Sequence, residues 1–228
     1  PHFNEFHFAR HAANRFGTIH QMQIMLTETA AMWPRFIWHC EQPHSDESFI
    51  PTDLVSAMAA RDVKIVLTAD GADELFAGYE KYLKLFPGGR TDHLEPGWED
   101  AFVRSSGLFQ GDQLNSLLTG ALRDSFFDTD PYAPLVDEMQ RGSHHDPINQ
   151  VTLGETLTLL PGNNLVKLDR MTMANSLEVR SPLLDYRMAE FAFSVPGAMK
   201  LAGGATKAIF RQAVEPLLGK ELTFGKKQ

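Results

Sequence analysis

The residues best suited to chemistry in this 228-residue chain fall in one short run, Thr68-Ala-Asp-Gly-Ala-Asp-Glu-Leu-Phe-Ala-Gly-Tyr79. Lys64-Ile-Val-Leu-Thr68 leads into it as a nearly continuous apolar stretch, the pattern of a buried parallel strand. After it, Leu75, Phe76, Tyr79, Tyr82, Leu83 and Phe86 recur at helical spacing, so the expectation is strand, tight turn, then one helix from Asp73 to Phe86. Ligands of open α/β sheets bind beyond the carboxyl ends of strands, which is where Thr68 to Glu74 falls. Gly71 permits the tight turn, and a helix starting near Asp73 aims free backbone N–H groups toward it. Carboxylates at Asp70 and Asp73 could hold magnesium, a hard cation that takes one or two carboxylates and fills its shell with phosphate oxygens. On composition alone a plain turn and helix cap explains both residues equally well, because acidic side chains favour first helical turns.

A second carboxylate stands out in Asn163-Asn-Leu-Val-Lys-Leu-Asp-Arg-Met-Thr-Met-Ala-Asn-Ser-Leu177. Leu165, Asp169, Met173 and Leu177 form one i,i+4 row, so Asp169 interrupts an apolar stripe and needs a partner or a purpose. The plainer reading is a buried ion pair with Lys167, Arg170, Arg180 or Arg187. Gly203-Gly204-Ala-Thr-Lys207 brings glycines, a capping hydroxyl and a lysine to a helix start, an arrangement suited to anions though its glycine spacing is not that of a Walker loop. Taken singly, Lys207, Lys226 and Lys227 read as solvated. His144-His145-Asp146 reads as a polar loop, since adjacent ligands make poor metal geometry, and His39 beside Cys40 lacks further ligands at useful spacing. Trp33, Phe36 and Trp38 read as core.

The elements that must position these groups begin with a helix from about Asn4 to Arg15, stopped by Gly17. Alternation over Thr18 to Leu26 suggests a strand. Thr27 then resembles a cap for a helix running through Trp33 and Ile37 toward His39, with Pro34 as a kink. A helix from about Thr52 to Ala60 would bury Leu54, Val55, Met58 and Ala59. Residues 87–162, richer in Gly, Pro, Asp and Ser, read as short helices joined by mobile loops, for instance around Leu114 to Leu122 and Leu153 to Leu160. Helical signals return at Leu165 to Leu177, Asp185 to Ser194 and Thr206 to Leu218. Two parallel strands do not make a self-sufficient sheet, so partner strands are expected upstream and the chain is expected to be part of something longer. The start at Pro1 and the end at Lys226-Lys227-Gln228 agree with that expectation.

Bulk composition narrows the class. A hydrophobic content of 43% supports a proper core. Against 29 acidic residues stand 21 basic ones, a net charge of −8 that disfavours a general nucleic-acid binder. One cysteine, Cys40, makes no internal disulfide, and a reducing compartment is its natural home. No stretch reaches the roughly 20 apolar residues of a membrane span. A soluble, cytoplasmic protein is the expectation.

Taken in order, the blocks Glu41-Gln-Pro43 to Pro51-Thr52, Val66 to Tyr79, Leu165 to Asp185, Gly203 to Arg211 and Lys226-Lys227-Gln228 resemble the C-terminal synthetase domain of glutamine-dependent asparagine synthetases and their relatives. The most specific is Leu177-Glu-Val-Arg-Ser-Pro-Leu-Leu-Asp185. This resemblance implies an α/β fold with a parallel-sheet, ATP pyrophosphatase-like nucleotide part that is incomplete at its N-terminus, followed by a mostly helical C-terminal part. One synthetase domain would comprise a partial nucleotide-binding part (1–86), a variable helical and loop insertion (87–162) and a helical part contacting substrate and phosphate (163–228). It implies adenylation of the aspartate side-chain carboxylate by ATP with Mg2+, then attack by ammonia from a glutaminase domain, giving asparagine, AMP and pyrophosphate. By the family pattern Thr68, Ala69 and Gly71 border the nucleotide, Asp73 ligands magnesium, and Asp70 sits by the acyl-adenylate as proton acceptor. Asp169 matches an acidic position near the acyl substrate, and Lys207 and Lys227 match two lysines that approach the phosphates and the leaving pyrophosphate. Glu178 and Arg180 look structural. Small-molecule substrates are the implied partners, with no nucleic acid or membrane and with a homodimer left open.

Some features depart from the pattern. The family's Ser-Gly-Gly-x-Asp-Ser loop is absent and would lie upstream of Pro1, as would the glutaminase domain, whose nucleophile Cys40 cannot replace. Alanines stand at Ala69 and Ala77 where glycines are usual, and Glu41-Gln42-Pro43 replaces Asp-Glu-Pro. Two alternatives follow. One is a related carboxylate-adenylating amide or lactam synthetase, although lactam-forming relatives tend to carry tyrosine where Asp70 stands. The other is a catalytically inactive binding module.

Overall fold

The computed structural model describes residues 6–25, 31–44, 46–107, 109, 112–127 and 130–225. Helix α1 spans Phe6–Phe16 and ends as expected at Gly17, which adopts φ 60°. The alternation that follows does not form a strand. Residues 18–25 have no regular structure and Ile19 is 96% exposed. Strand backbone must pair with a neighbour, and no described strand lies beside this segment. Leu26 and Thr27 lie outside the described residues.

Helix α2 (Trp33–Cys40) carries Pro34 in its first turn, where the missing N–H costs nothing and no kink results. Its buried positions are Phe36 and Cys40, whereas Trp38 is 80% exposed and so does not belong to the core. Helix α3 (Phe49–Ala59) starts three residues earlier than its apolar pattern implies and buries Phe49, Ile50, Asp53 and Ser56, leaving Val55 outside. Two polar residues can face inward because Asp53 accepts from Arg35 Nη1 at 3.2 Å and Asn175 Nδ2 at 2.8 Å, while Ser56 donates to Thr52 O.

Strand β1 (Ile65–Leu67) pairs in parallel with β2 (Glu178–Arg180), in the register Ile65↔Glu178, Val66↔Val179, Leu67↔Arg180. The second strand of the described sheet is therefore Glu178–Arg180 and not Thr18 to Leu26. Nor is β1 buried: Ile65 is exposed and Leu67 is 73% exposed, since no further described strand or layer covers them.

The expected helix from Asp73 to Phe86 is two short ones, α4 (Ala72–Leu75) and α5 (Glu80–Leu85). Between them Ala77 takes φ 55°, and Gly78 N donates back to Asp73 O at 2.8 Å. The apolar residues still recur at helical spacing because Leu75 and Phe76 belong to one core and Tyr82 and Phe86 to another.

Helices α6 (Trp98–Ser105), α7 (Asp112–Leu117), α8 (Gly120–Phe127), α9 (Ala133–Arg141) and α10 (Pro147–Leu157) follow. The Leu153 to Leu160 signal is the tail of α10, which Asp146 caps by accepting from Ile148 N and Asn149 N at 3.1 Å. The largest core joins Tyr82 and Phe86 to Phe102, Val103, Val136, Met139, Ile148, Val151 and Leu201. Inside it Glu155 is buried and accepts from Lys81 Nζ and the Tyr82 hydroxyl, each at 2.5 Å.

A π turn at Leu160–Asn164 leads into α11 (Leu165–Met173), which packs on α2, α3 and β2. After β2 come α12 (Tyr186–Ser194), α13 (Gly197–Lys200), α14 (Ala208–Leu218) and α15 (Lys220–Phe224). Lys200 closes α13 at 0% exposure; its Nζ has no hydrogen-bond partner among the described residues and lies 5.0 Å from the Phe193 ring. No helix among the described residues is long and apolar enough to cross a membrane.

Candidate active site

The turn from Thr68 to Gly71 leaves the C-terminal end of β1. Thr68 N donates to Arg180 O at 2.9 Å and Thr68 Oγ1 lies 2.9 Å from Ser181 Oγ, so the side chains that extend the two strands meet there. Gly71 takes φ 90° with Leu184 pressed against it, and a Cβ at Gly71 would lie 2.1 Å from Leu184 Cδ2. Only glycine satisfies both conditions. Ala69 is exposed and Asp70 half-buried, and the Asp70 carboxylate makes no ion pair among the described residues.

Asp73 and Lys207 are brought together from positions 134 residues apart, with Nζ 2.9 Å from Oδ1 and side chains 27% and 21% exposed. Lys207 caps α14 in the left-handed conformation (φ 52°), and its N–H donates to Ala77 O at 3.3 Å. Among the described residues four non-glycine residues have positive φ, and two of them, Ala77 and Lys207, touch here. Backbone strain of this kind persists where packing enforces it and clusters at functional sites. Gly78 completes the cradle, since a Cβ there would lie 1.9 Å from Asp73 Oδ1.

Behind Asp73 the Glu74 side chain turns inward, 2% exposed. Its Oε1 accepts from the Tyr79 hydroxyl at 2.5 Å and from Asn164 Nδ2 at 2.9 Å. Burial, and then the adjacent Glu74 carboxylate, raise the Tyr79 hydroxyl pKa. Asn163 Nδ2 bonds Asn164 Oδ1 at 3.1 Å and Asp46 Oδ2 at 3.3 Å. Lys167 Nζ lies 2.8 Å from the same Asp46 oxygen and 2.7 Å from Ser48 Oγ. Burial pushes the Asp46 carboxyl up, but the hydrogen bonds from Lys167 and Ser48 together outweigh it and hold the pKa at about 2.

Asp169 is exposed on α11, and its stripe does not form a buried seam, since Met173 is exposed as well. The buried ion-pair reading fails on both counts. Lys167 pairs with Asp46, Arg170 with Glu41, Arg180 with Glu178 and Arg187 with Asp185. Asp169 makes no hydrogen bond with Thr68, Asp70 or Asp73 among the described residues. Lys226 and Lys227 lie outside them. Asp146 serves as a helix cap, and no cluster of three or more His, Cys, Asp or Glu that could hold a metal occurs among the described residues.

Glu74, Tyr79, Asn164 and Ser181 are the site residues that pattern reading missed. A glutamate inside a run of apolar residues, Ala72 to Gly78, was the available signal for the first; nothing in the spacing pointed to Asn164. The donor set suits an ion that arrives with a phosphate: one carboxylate beside one lysine, with no protein-only cage among the described residues.

A parallel strand pair carries an acidic turn at its carboxyl end, the end at which open α/β sheets bind ligands, and a lysine is folded onto that turn. A family model described as asparagine synthase matches residues 1–228, and the chain belongs to that family. It is 31% identical over 245 residues to the putative glutamine-hydrolyzing asparagine synthetase of Mycobacterium tuberculosis (strain H37Rv), covering 95% of this chain and 37% of the relative. Glutamine-hydrolyzing asparagine synthetase 1 of Bacillus subtilis (strain 168) is 28% identical over 218 residues, with 85% and 34% covered. Amidase chyE of Penicillium rubens is 25% identical over 273 residues, with 94% and 39% covered. The chain thus spans little more than a third of these relatives' length, and matches the C-terminal region of larger proteins.

Proposed function

We propose that this chain supplies the acyl-activating site of an ATP-dependent asparagine synthetase. The observation that carries the reading is the Asp73–Lys207 contact at the carboxyl end of β1, in a chain that matches the asparagine synthase family over its whole length. In the proposed reaction an aspartate side-chain oxygen attacks the α-phosphorus of ATP, the bond to the β-phosphate oxygen breaks, and pyrophosphate leaves. Ammonia, delivered by a glutaminase domain of the longer protein, then attacks the acyl carbon and displaces AMP. Asp70, half-buried and without an ion-pair partner among the described residues, takes the proton that the attacking nitrogen sheds. Lys207, with Lys227 as the second lysine, offsets the charge that builds on phosphate oxygens. Thr68, Ala69 and Gly71 shape the nucleotide-facing turn, and Asp169 orients the acyl substrate. Magnesium, held by Asp73 when bound, would neutralise phosphate charge. The setting is cytoplasmic, with small molecules as partners.

The test uses the full-length protein with aspartate, ammonia and labelled ATP. AMP and pyrophosphate should appear in equal amounts with asparagine; release of ADP would refute the reading. Asp73→Ala should abolish pyrophosphate release while costing at most about 1 kcal/mol of stability, the value of a partly exposed ion pair.

A further inference from the structure

We infer that Asn164 and Tyr79 are positioning residues for Asp73: they clamp the buried Glu74 next to it and so fix the phosphate-facing turn from behind. The inference rests on the proposed magnesium–ATP role of Asp73. Helix α4 is only four residues long, too short to hold its own direction. What orients Asp73 must therefore come from tertiary contacts. Gly78 N holds the Asp73 carbonyl at 2.8 Å, and Glu74 is held through a single oxygen by a hydroxyl at 2.5 Å and an amide at 2.9 Å.

The chemistry of that clamp is selective. A carboxylate 2% exposed needs strong partners, yet both of those holding it are neutral. A lysine behind the turn would satisfy Glu74 equally well, but it would add positive charge beside the acidic turn. With neutral donors holding Glu74, Lys207 pairs with Asp73 with no second cation against Glu74 among the described residues.

The π turn at Leu160–Asn164 explains how two successive asparagines serve both directions. Its widened backbone sets their side chains in contact, Asn163 reaching toward Asp46 and Asn164 toward Glu74. Such turns recur at functional sites. Through them the Asp46–Lys167 pair anchors the clamp, so that a hydrogen-bonded chain runs from the loop before α3 to the residue beside Asp73.

The experiment compares full-length wild type with Asn164→Asp and Tyr79→Phe, reading manganese–ATP affinity from the spin signal of free manganese, alongside pyrophosphate release and melting temperature. Asn164→Asp sets a second carboxylate against Glu74, and the affinity should fall about tenfold, as for other groups that orient a metal ligand, with the aspartate KM unchanged. Tyr79→Phe deletes only one hydroxyl, keeps the ring packing, and should weaken binding about threefold in the same sense, the worth of one modest hydrogen bond. Folded variants that bind manganese–ATP as tightly as wild type would overturn the inference while leaving the proposed reaction intact. A wild type that binds manganese–ATP but releases ADP would sink the reaction and leave the positioning role standing. A wild type with no affinity for manganese–ATP would overturn both.

Discussion

Replacing Lys200 by methionine should stabilise the protein at neutral pH and remove a pH dependence that the wild type shows between pH 8 and 10.5. Lys200 is fully buried, its Nζ has no hydrogen-bond partner among the described residues, and its charged form is disfavoured by burial, only partly offset by Asp146. Its pKa is lowered from 10.5 to about 8. At roughly 1.4 kcal/mol per tenfold change in proton affinity, that lowering corresponds to about 3 kcal/mol of destabilisation when the lysine is charged. The sign follows from proton counting. At pH 7 the lysine is protonated both folded and unfolded, so the full cost is present. Between about pH 8 and 10.5 the folded state releases the proton and the unfolded state keeps it, so stability rises with pH. Above 10.5 both forms are neutral and the cost is gone. Urea denaturation at pH 7 and pH 9.5 on both proteins tests this. The variant should be more stable at pH 7 by up to about 3 kcal/mol, with the advantage shrinking as pH rises. Cys40, Tyr79 and Tyr82, whose pKa values burial raises, lose stability in alkali in both proteins and cancel from the difference. A variant less stable at pH 7, or a difference that stays flat with pH, would refute the reasoning.

Other expectations follow from neighbouring contacts. Asp46→Asn should cost about 2 kcal/mol at pH 7, a loss that fades as acid protonates the wild-type carboxyl between about pH 4 and 2; denaturation at pH 7 and pH 3 compares the two. Gly78→Ala drives a methyl into the Asp73 carboxylate and should cut pyrophosphate release about a hundredfold, whereas Gly120→Ala, with open space around it, should leave the rate unchanged. Tyr82→Phe removes a donor from buried, charged Glu155 and should cost about 1.5–3 kcal/mol in urea denaturation, with no effect on nucleotide affinity.

The acidic turn was legible because its signals agree: an apolar run, a glycine at the one place that needs positive φ, and carboxylates at a helix start. Helices α12 and α14 were legible to within a few residues because polar or glycine-rich punctuation precedes each, Asp185 capping the first through Arg187 N. Strand β2 was not, because three residues carry too little periodicity to announce a strand. The break at Ala77 was invisible for another reason: a positive φ in alanine is imposed by packing, so nothing local announces it. Asp169 misled because a helical row of apolar residues was equated with burial, whereas α11 leaves that row partly in water. Asn164 meets Glu74 and Tyr79 only through tertiary structure, and no sequence spacing encodes a contact across 90 residues.

The contact between Asp73 and Lys207 has a consequence for how ligands enter. Each of these two groups already has an oppositely charged occupant, so this pair, though not the whole acidic turn, is neutralised at rest. A nucleotide arriving without its divalent ion would have to strip Lys207 from a carboxylate left bare, and an ion arriving alone would have to evict an ammonium. Only the two together exchange this one ion pair for two, leaving neither Asp73 nor Lys207 stranded. On the proposed reading this is a double-displacement lock: the site admits the metal–nucleotide complex as a unit and disfavours either half, a form of heterotropic linkage built from a single salt bridge.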